Sequence, residues 1–178
     1  MTYELLILRH GKSDWDVGSD DFHRPLKDRG KRAAQRMGVW LQQHELQPDL
    51  VVSSPAERAI VTAEKCCKAM AMGTDVIRKE RQVYAASLNN LLQVLRDCPQ
   101  QSRRIMLVGH NPGLEELLEF LVAEQIAEPE DGKLLPTATL AWLRIASGWA
   151  DLANGCAQLE AIVRPSDLPE KFPFPGPD

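Results

Sequence analysis

A chain of 178 residues, 44% hydrophobic and 26% charged, has the composition of an ordinary globular protein with enough chain for one sizeable core. A net charge of −4 at pH 7 leaves no basic footprint for nucleic acid, so a bound anion must be held by local positive charge. No apolar run approaches the roughly 20 residues of a membrane helix, and the N-terminal stretch, with Glu4 inside it, lacks the layout of a secretory signal. The cysteines Cys66, Cys67, Cys98 and Cys156 fit no zinc spacing, and the adjacent pair suits a disulfide poorly, which reads as reduced thiols of a cytoplasmic protein.

In chain order, Glu4–Leu8 reads as a first strand, followed by a polar loop from Lys12 to Lys27. A helix is expected from about Asp28 to His44, where Ala33, Met37, Val39, Trp40 and Leu41 recur at helical spacing and Pro48 marks the stop. Leu50-Val51-Val52 is a second strand. Ser54 as N-cap, Pro55 at the first helical position and Glu57 as the capping-box partner predict a helix running to about Met72. Asp75–Ile77 is a weaker strand. Ser87 caps a helix carrying Leu88, Leu91, Leu92 and Leu95 on one face, with Pro99 beyond its end. Ile105-Met106-Leu107-Val108 has the continuous apolar character of a strand buried on both faces. Asn111 is expected to cap a helix that Pro112 opens, with Leu114, Leu117, Leu118 and Leu121 toward the core. Strands over Thr137–Ile145 and Ala157–Val163 are close enough in sequence to pair antiparallel. Helices alternating with short strands predict a three-layer α/β/α sandwich with a mostly parallel central sheet and an antiparallel edge. The domain is expected over 1–164. The prolines from Pro165 onward predict an extended tail over 165–178, either docked through Phe172 and Phe174 or disordered.

Three strand-to-turn segments carry the chemistry: Arg9-His10-Gly11, Ser53-Ser54-Pro55-Ala56-Glu57-Arg58 and Gly109-His110-Asn111-Pro112-Gly113. If their strands are parallel, one sheet edge gathers His10, Arg9, Arg58 and His110 together with the free N–H groups of two helix starts. That constellation suits a phosphoryl group, whose oxygens need several donors at fixed angles. His10 must attack as neutral imidazole, and neighbouring cations disfavour its protonated form. The attacking nitrogen is set by a hydrogen bond from the other, to a carbonyl such as that of Gly11. His110 is more useful as a charged donor, so opposite protonation states are expected for the two histidines. Ser13, Gly11 and Asn111 are the candidate substrate-binding residues. His23 and His44 read as surface or structural groups, His44 suiting a helix C-terminus. Arg29, Lys31, Arg32 and Arg36 read as a solvated helix face.

The chain resembles the histidine phosphatase superfamily, also called phosphoglycerate mutase-like. Arg9-His10-Gly11-Lys12-Ser13, Ser53-Ser54-Pro55 with Arg58, Ala59 and Thr62, and Val108-Gly109-His110-Asn111-Pro112 carry the resemblance, over roughly residues 3 to 145. The stretch from Arg24-Pro25-Leu26 to Gly30 looks like the family's lead into its first helix. Within the superfamily the chain looks most like the small SixA-type phosphohistidine phosphatases, having no room for the large helical insertions of the mutases. The resemblance implies a phosphoglycerate mutase-like fold, a phosphorylated nucleophile at His10, and a phosphate pocket of Arg9, Arg58 and His110. It implies no metal and no organic cofactor.

One departure bears on substrate. Mutases and many phosphoesterases of this superfamily carry a carboxylic general acid after the third strand, where this chain offers only Glu80 in Lys79–Ser87, ahead of the aligned place. An alkoxide leaving group needs a proton in the transition state. A phosphorylated imidazole already protonated on its other nitrogen leaves as neutral imidazole, so a pocket without a strong acid suits P–N cleavage. The reading is a monomeric cytoplasmic phosphatase acting on phosphohistidine of a protein through a phospho-His10 intermediate. The alternatives are a phosphomonoesterase for a small phosphorylated metabolite and a non-catalytic phosphate-binding module. No nucleic-acid or membrane partner is expected.

Overall fold

The computed structural model describes residues 2–171, so Phe172 and Phe174 lie outside the described residues. The strands are β1 (Tyr3–Arg9), β2 (Leu50–Ser53), β3 (Ile77–Lys79), β4 (Arg104–Gly109), β5 (Leu140–Ile145) and β6 (Ala157–Val163). The α-helices are α1 (Asp28–Gln43), α2 (Glu57–Ala69), α3 (Leu88–Arg96) and α4 (Gly113–Leu121). The strands form one sheet in the order β3-β2-β4-β1-β5-β6. The neighbours β3-β2, β2-β4 and β4-β1 pair in parallel. β5 pairs antiparallel with both β1 and β6. The sandwich is thus mostly parallel with an antiparallel side, as the alternation of helix and strand predicts.

Both faces of the central strands are covered, which is why their sequences are continuously apolar rather than alternating. Leu5, Ile7, Val52, Ile105 and Leu107 pack with the leucines of α3 and α4. Leu6, Leu8, Val51, Met106 and Val108 pack on the opposite face with Met37 and Leu41 of α1 and Ala59, Ala63 and Cys66 of α2. Leu114, Leu117, Leu118 and Leu121 of α4 are fully buried, matching their spacing. On α1 the apolar seam is Ala34, Met37, Val39 and Leu41, while Ala33 and Trp40 are half-buried.

The parallel register builds the site. Arg9 pairs with Gly109, and Ser53 pairs with Val108. The three central strands therefore end side by side, and their next residues His10, Ser54 and His110 leave the sheet at one edge. This is the carboxyl edge where open α/β sheets bind ligands.

Several boundaries differ from expectation, each for a local reason. Ser54 does not cap α2, which starts at Glu57 with Ala56 as its cap residue and no side-chain cap. The Ser54 hydroxyl instead accepts from Ala56 N–H at 3.2 Å and closes the turn. Asn111 likewise does not cap α4, whose cap position is Pro112. The segment Thr74–Val76 is a 3-10 turn, so β3 begins only at Ile77, where the register with Val51 starts. Thr137–Thr139 is not strand. Ala138 has φ of 56°, left-handed backbone that cannot extend a ladder. Its N–H is drawn to the carbonyls of Arg9 and His10, at 3.1 and 2.9 Å. The first tail residues are not extended. Pro165–Asp167 forms a 3-10 turn, Arg36 donates to the Pro165 carbonyl at 2.7 Å, and Leu168 joins the core beside α1. Arg36 is thus a tether, whereas Arg29 and Arg32 are exposed.

Candidate active site

His10 is 6% exposed, and its Nδ1 lies 2.7 Å from the Gly11 carbonyl. A carbonyl only accepts, so Nδ1 carries the proton and Nε2 keeps the lone pair. Gly11 N–H donates to Thr62 Oγ1 at 2.9 Å, and Thr62 in turn donates to the Arg58 carbonyl at 2.7 Å. The turn after β1 is thereby fastened to α2. Glycine is required here because a Cβ at Gly11 would stand 2.7 Å from the Gly30 carbonyl oxygen, and one at Gly30 would stand 2.4 Å from the Lys12 carbonyl oxygen. Both obstacles are backbone and cannot rotate away. The position is a close approach to the start of α1, and its N–H is spent on Thr62.

Arg9 reaches from the end of β1, where NH1 donates to the Leu135 carbonyl at 3.1 Å. Burial pulls its pKa below the ordinary guanidinium value, while nearby Glu115 acts in the opposite direction. Arg58, in the first turn of α2, donates from NH1 to the Asp21 carbonyl at 2.5 Å and from NH2 to its carboxylate at 3.1 Å. Asp21 also accepts from Arg24 NH1 at 2.8 Å and from the Tyr84 hydroxyl at 2.5 Å. The Tyr84 hydrogen bond, then the Arg58 NH2 bond to the carboxylate and the Arg58 charge, lower the Asp21 pKa to about 2, so it is ionised. Arg24 is buried, with Nε donating to Ser13 Oγ at 2.9 Å and its guanidinium 3.6 Å from the Trp15 ring centroid. Ser13 is thus placed at the site through Arg24.

His110 completes the edge. Its ring centroid is 5.2 Å from that of His10, and its Nε2 is 2.7 Å from Ser54 Oγ. The expectation of opposite protonation states is corrected here. Burial lowers the pKa of His10 to about 3 and of His110 to about 4, so both are neutral near pH 7. Burial, not the neighbouring cations, is the largest cause for each, with Arg58 adding to it in both.

A cavity of about 570 Å³ opens beside these groups, lined by Asp21, Arg58, Tyr84, His110, Asn111 and Glu116 among others. The Asn111 amide donates to Leu135 O at 2.8 Å and to Glu115 Oε1 at 2.9 Å, both protein acceptors. Glu80 does not line the cavity. Its carboxylate accepts from Gln82 N–H at 3.4 Å and caps a 3-10 turn. His23 pairs with Asp20 on the surface, and His44 bonds the Trp40 carbonyl at the end of α1. Among the described residues no cluster of three or more His, Cys, Asp or Glu is placed to hold a metal ion. No helix among them is long and apolar enough to cross a membrane.

Sequence reasoning missed Asp21, Tyr84, Arg24 and Glu115. Asp21 and Arg24 sit in an irregular loop without periodicity, and their only signal was the short span Asp21–Arg24 leading into the Pro25-Leu26 stretch. Tyr84 comes from a turn whose direction depends on tertiary packing, against Phe22 at 5.1 Å between ring centroids.

Residues 5–82 match the profile described as "Histidine phosphatase superfamily (branch 1)". A Mycobacterium tuberculosis protein with no assigned function is 32% identical over 162 residues, which cover 85% of this chain and 96% of that protein. Among solved structures, a "Putative Phosphohistidine Phosphatase SixA" from Nakamurella multipartitia matches with a TM-score of 0.79 at 25% identity, over 93% of this chain and 97% of that one. A mycobacterial glucosyl-3-phosphoglycerate phosphatase shares the fold, with a TM-score of 0.63 at 19% identity over 90% of this chain and 98% of that one. Fold and matches define a phosphatase, a hydrolase on an α/β sandwich. The chain belongs to the histidine phosphatase superfamily.

Proposed function

We propose that this phosphatase removes the phosphoryl group from phosphohistidine on a protein, through a phospho-His10 intermediate. The observation that carries the reading is the His10 Nδ1 contact with the Gly11 carbonyl, which leaves a neutral imidazole with its lone pair on Nε2. In the first step the Nε2–P bond forms as the substrate P–N bond breaks. The departing imidazole keeps the bonding electron pair and leaves neutral, its other nitrogen already protonated. In the second step water attacks phosphorus, the P–Nε2 bond breaks with its electron pair returning to Nε2, and both water protons stay on the released dihydrogen phosphate, leaving His10 neutral.

Arg9, Arg58 and His110 hold the charge of the transferring group, as donors fixed before the reaction. Their close setting supports this, since Arg9, Arg58 and His110 each perturb the titration of His10. His110, neutral in the free protein, gains a proton more readily once a phosphoryl dianion lies beside it. Gly11 orients the nucleophile, Ser13 seats Arg24, and Asn111 fixes the loop bearing Leu135. We assign these three to orientation rather than to direct substrate contact.

Two carboxylates meet the cavity, and neither is Glu80. Asp21 is ionised and spent on arginines, so it has no proton to give. Glu116 is exposed at the cavity, and among the described residues it is the cavity-lining carboxylate left to act as a general acid toward an ester. The P–N preference therefore rests on Glu116 playing no such part. Free and buried Cys66, Cys67 and Cys98 support a reducing compartment, the cytoplasm.

The test compares a phosphohistidine-bearing protein with an aryl phosphate ester, using His10→Ala and Glu116→Gln as variants. Fast, His10-dependent loss of phosphohistidine with feeble ester turnover, insensitive to Glu116→Gln, supports the reading. Efficient ester hydrolysis that collapses in Glu116→Gln makes the protein a metabolite phosphomonoesterase. Binding of phosphate without turnover of either substrate makes it a phosphate-binding module.

A further inference from the structure

Glu115, in the first turn of α4, hydrogen-bonds to none of the four groups assigned above to the phosphoryl site, although its charge acts on Arg9, and one of its oxygens gathers two donors. Oε1 accepts from Asn111 Nδ2 at 2.9 Å and from the Leu135 backbone N–H at 3.1 Å. The Leu135 carbonyl accepts in turn from Arg9 NH1 at 3.1 Å and again from Asn111 Nδ2 at 2.8 Å. Carboxylate, amide, peptide and guanidinium thus close a compact ring. The same chain segment braces the nucleophile. Thr139 O accepts from Arg9 N–H at 3.2 Å, and Ala138 N–H reaches the Arg9 and His10 carbonyls at 3.1 and 2.9 Å.

Segment 134–139 carries no regular secondary structure, so its place is set by these bonds and by the fully buried Leu135 side chain. Among its polar anchors, Glu115 alone is a side chain on a regular helix, which makes it the rigid end of the chain of contacts. We infer that Glu115 is a positioning residue for Arg9, holding the guanidinium through Leu135 and Asn111. The inference rests on the proposed phosphoryl site and adds a residue that never meets the substrate. A guanidinium held by a buried carbonyl keeps its remaining N–H groups at fixed angles, and displacement by about 1 Å can cost on the order of a hundredfold in rate.

The role needs an acceptor at the Glu115 position, and glutamine supplies one. The test measures inorganic phosphate binding by titration calorimetry and turnover of an aryl phosphate ester, in Glu115→Ala, Glu115→Gln, Arg9→Ala and the Arg9→Ala/Glu115→Ala double variant. Glu115→Ala is expected to weaken phosphate binding and to lower kcat/KM by roughly 10- to 100-fold. Glu115→Gln is expected to restore both to within about threefold, and the double variant to lose no more than Arg9→Ala alone. Losses that multiply in the double variant, or a Gln variant as damaged as Ala, overturn the inference. If Arg9→Ala itself leaves binding and turnover unchanged, the phosphoryl-site reading falls, a result distinct from multiplicative losses.

Discussion

The Nδ1 atom of His10 stands 2.7 Å from the carbonyl oxygen of its own neighbour, Gly11. A contact so local is fixed by the turn that ends β1, and it selects the tautomer of the imidazole without help from a carboxylate. The nucleophile of the proposed mechanism is therefore set by backbone geometry, and the sheet register then brings His110 and Arg58 to it.

Burial of two neutral imidazoles has a consequence for pH. The unfolded chain takes up protons on these rings near pH 6.5, whereas the folded state resists until about 4 for His110 and about 3 for His10. Between those limits the unfolded state binds more protons, so the contribution of these two rings to stability is level above roughly pH 6.5 and falls as pH drops below it. The slope approaches about 1.4 kcal/mol per pH unit for each ring. Denaturant titrations from pH 7.5 to 4.5 check the sign, and NMR of the ring protons checks the cause. Titration of both rings near pH 6.5 in the folded protein would contradict it.

Arg58 and Asp21 differ in their expected effects although they touch. Arg58→Ala removes a donor from the transferring phosphoryl group and should lower kcat about a hundredfold or more. Asp21 has a half-exposed side chain and serves to hold Arg58, Arg24 and Tyr84. Asp21→Ala should cost roughly tenfold, with Asp21→Asn in between, because asparagine keeps an oxygen acceptor. Steady-state kinetics of the three variants on one substrate decide the order, and Asp21→Ala matching Arg58→Ala would place Asp21 in the chemistry itself.

Gly11→Ala tests the backbone approach. Its Cβ would lie 2.7 Å from the Gly30 carbonyl oxygen, well inside contact distance, with no side chain able to yield. The expected loss is about 1–3 kcal/mol of stability, read from chemical denaturation. Activity should fall as well, since Gly11 carries the acceptor for His10. An unchanged midpoint would show that the turn can shift at little cost.

Much of this arrangement was legible in the sequence. The leucines of α4 and the apolar runs of β1 and β4 place themselves by periodicity and by burial on both faces. Arg9, His10, Arg58 and His110 stand in strand-to-turn contexts that a parallel sheet must gather at one edge. What escaped has a common physical origin. Ser54 and Asn111 are good helix caps by residue type, but tertiary partners claimed their side chains: His110 for Ser54, Glu115 and Leu135 for Asn111. Asp21 meets Arg58 and Tyr84, and Glu115 meets Leu135, across separations of 20 to 63 residues, which their local pairings with Arg24 and Asn111 do not announce. The neutral state of His110 in the free protein follows from burial, which a sequence does not display.

The central claim is a phosphoryl group carried on His10. Rapid quench of the protein with a phosphorus-labelled substrate, followed by mapping of the label, tests it most directly. The account predicts an acid-labile, base-stable phosphoramidate on the peptide containing Arg9-His10-Gly11, formed within one turnover and absent from His10→Ala. Label on another residue, or full turnover by His10→Ala at the wild-type rate, would contradict it.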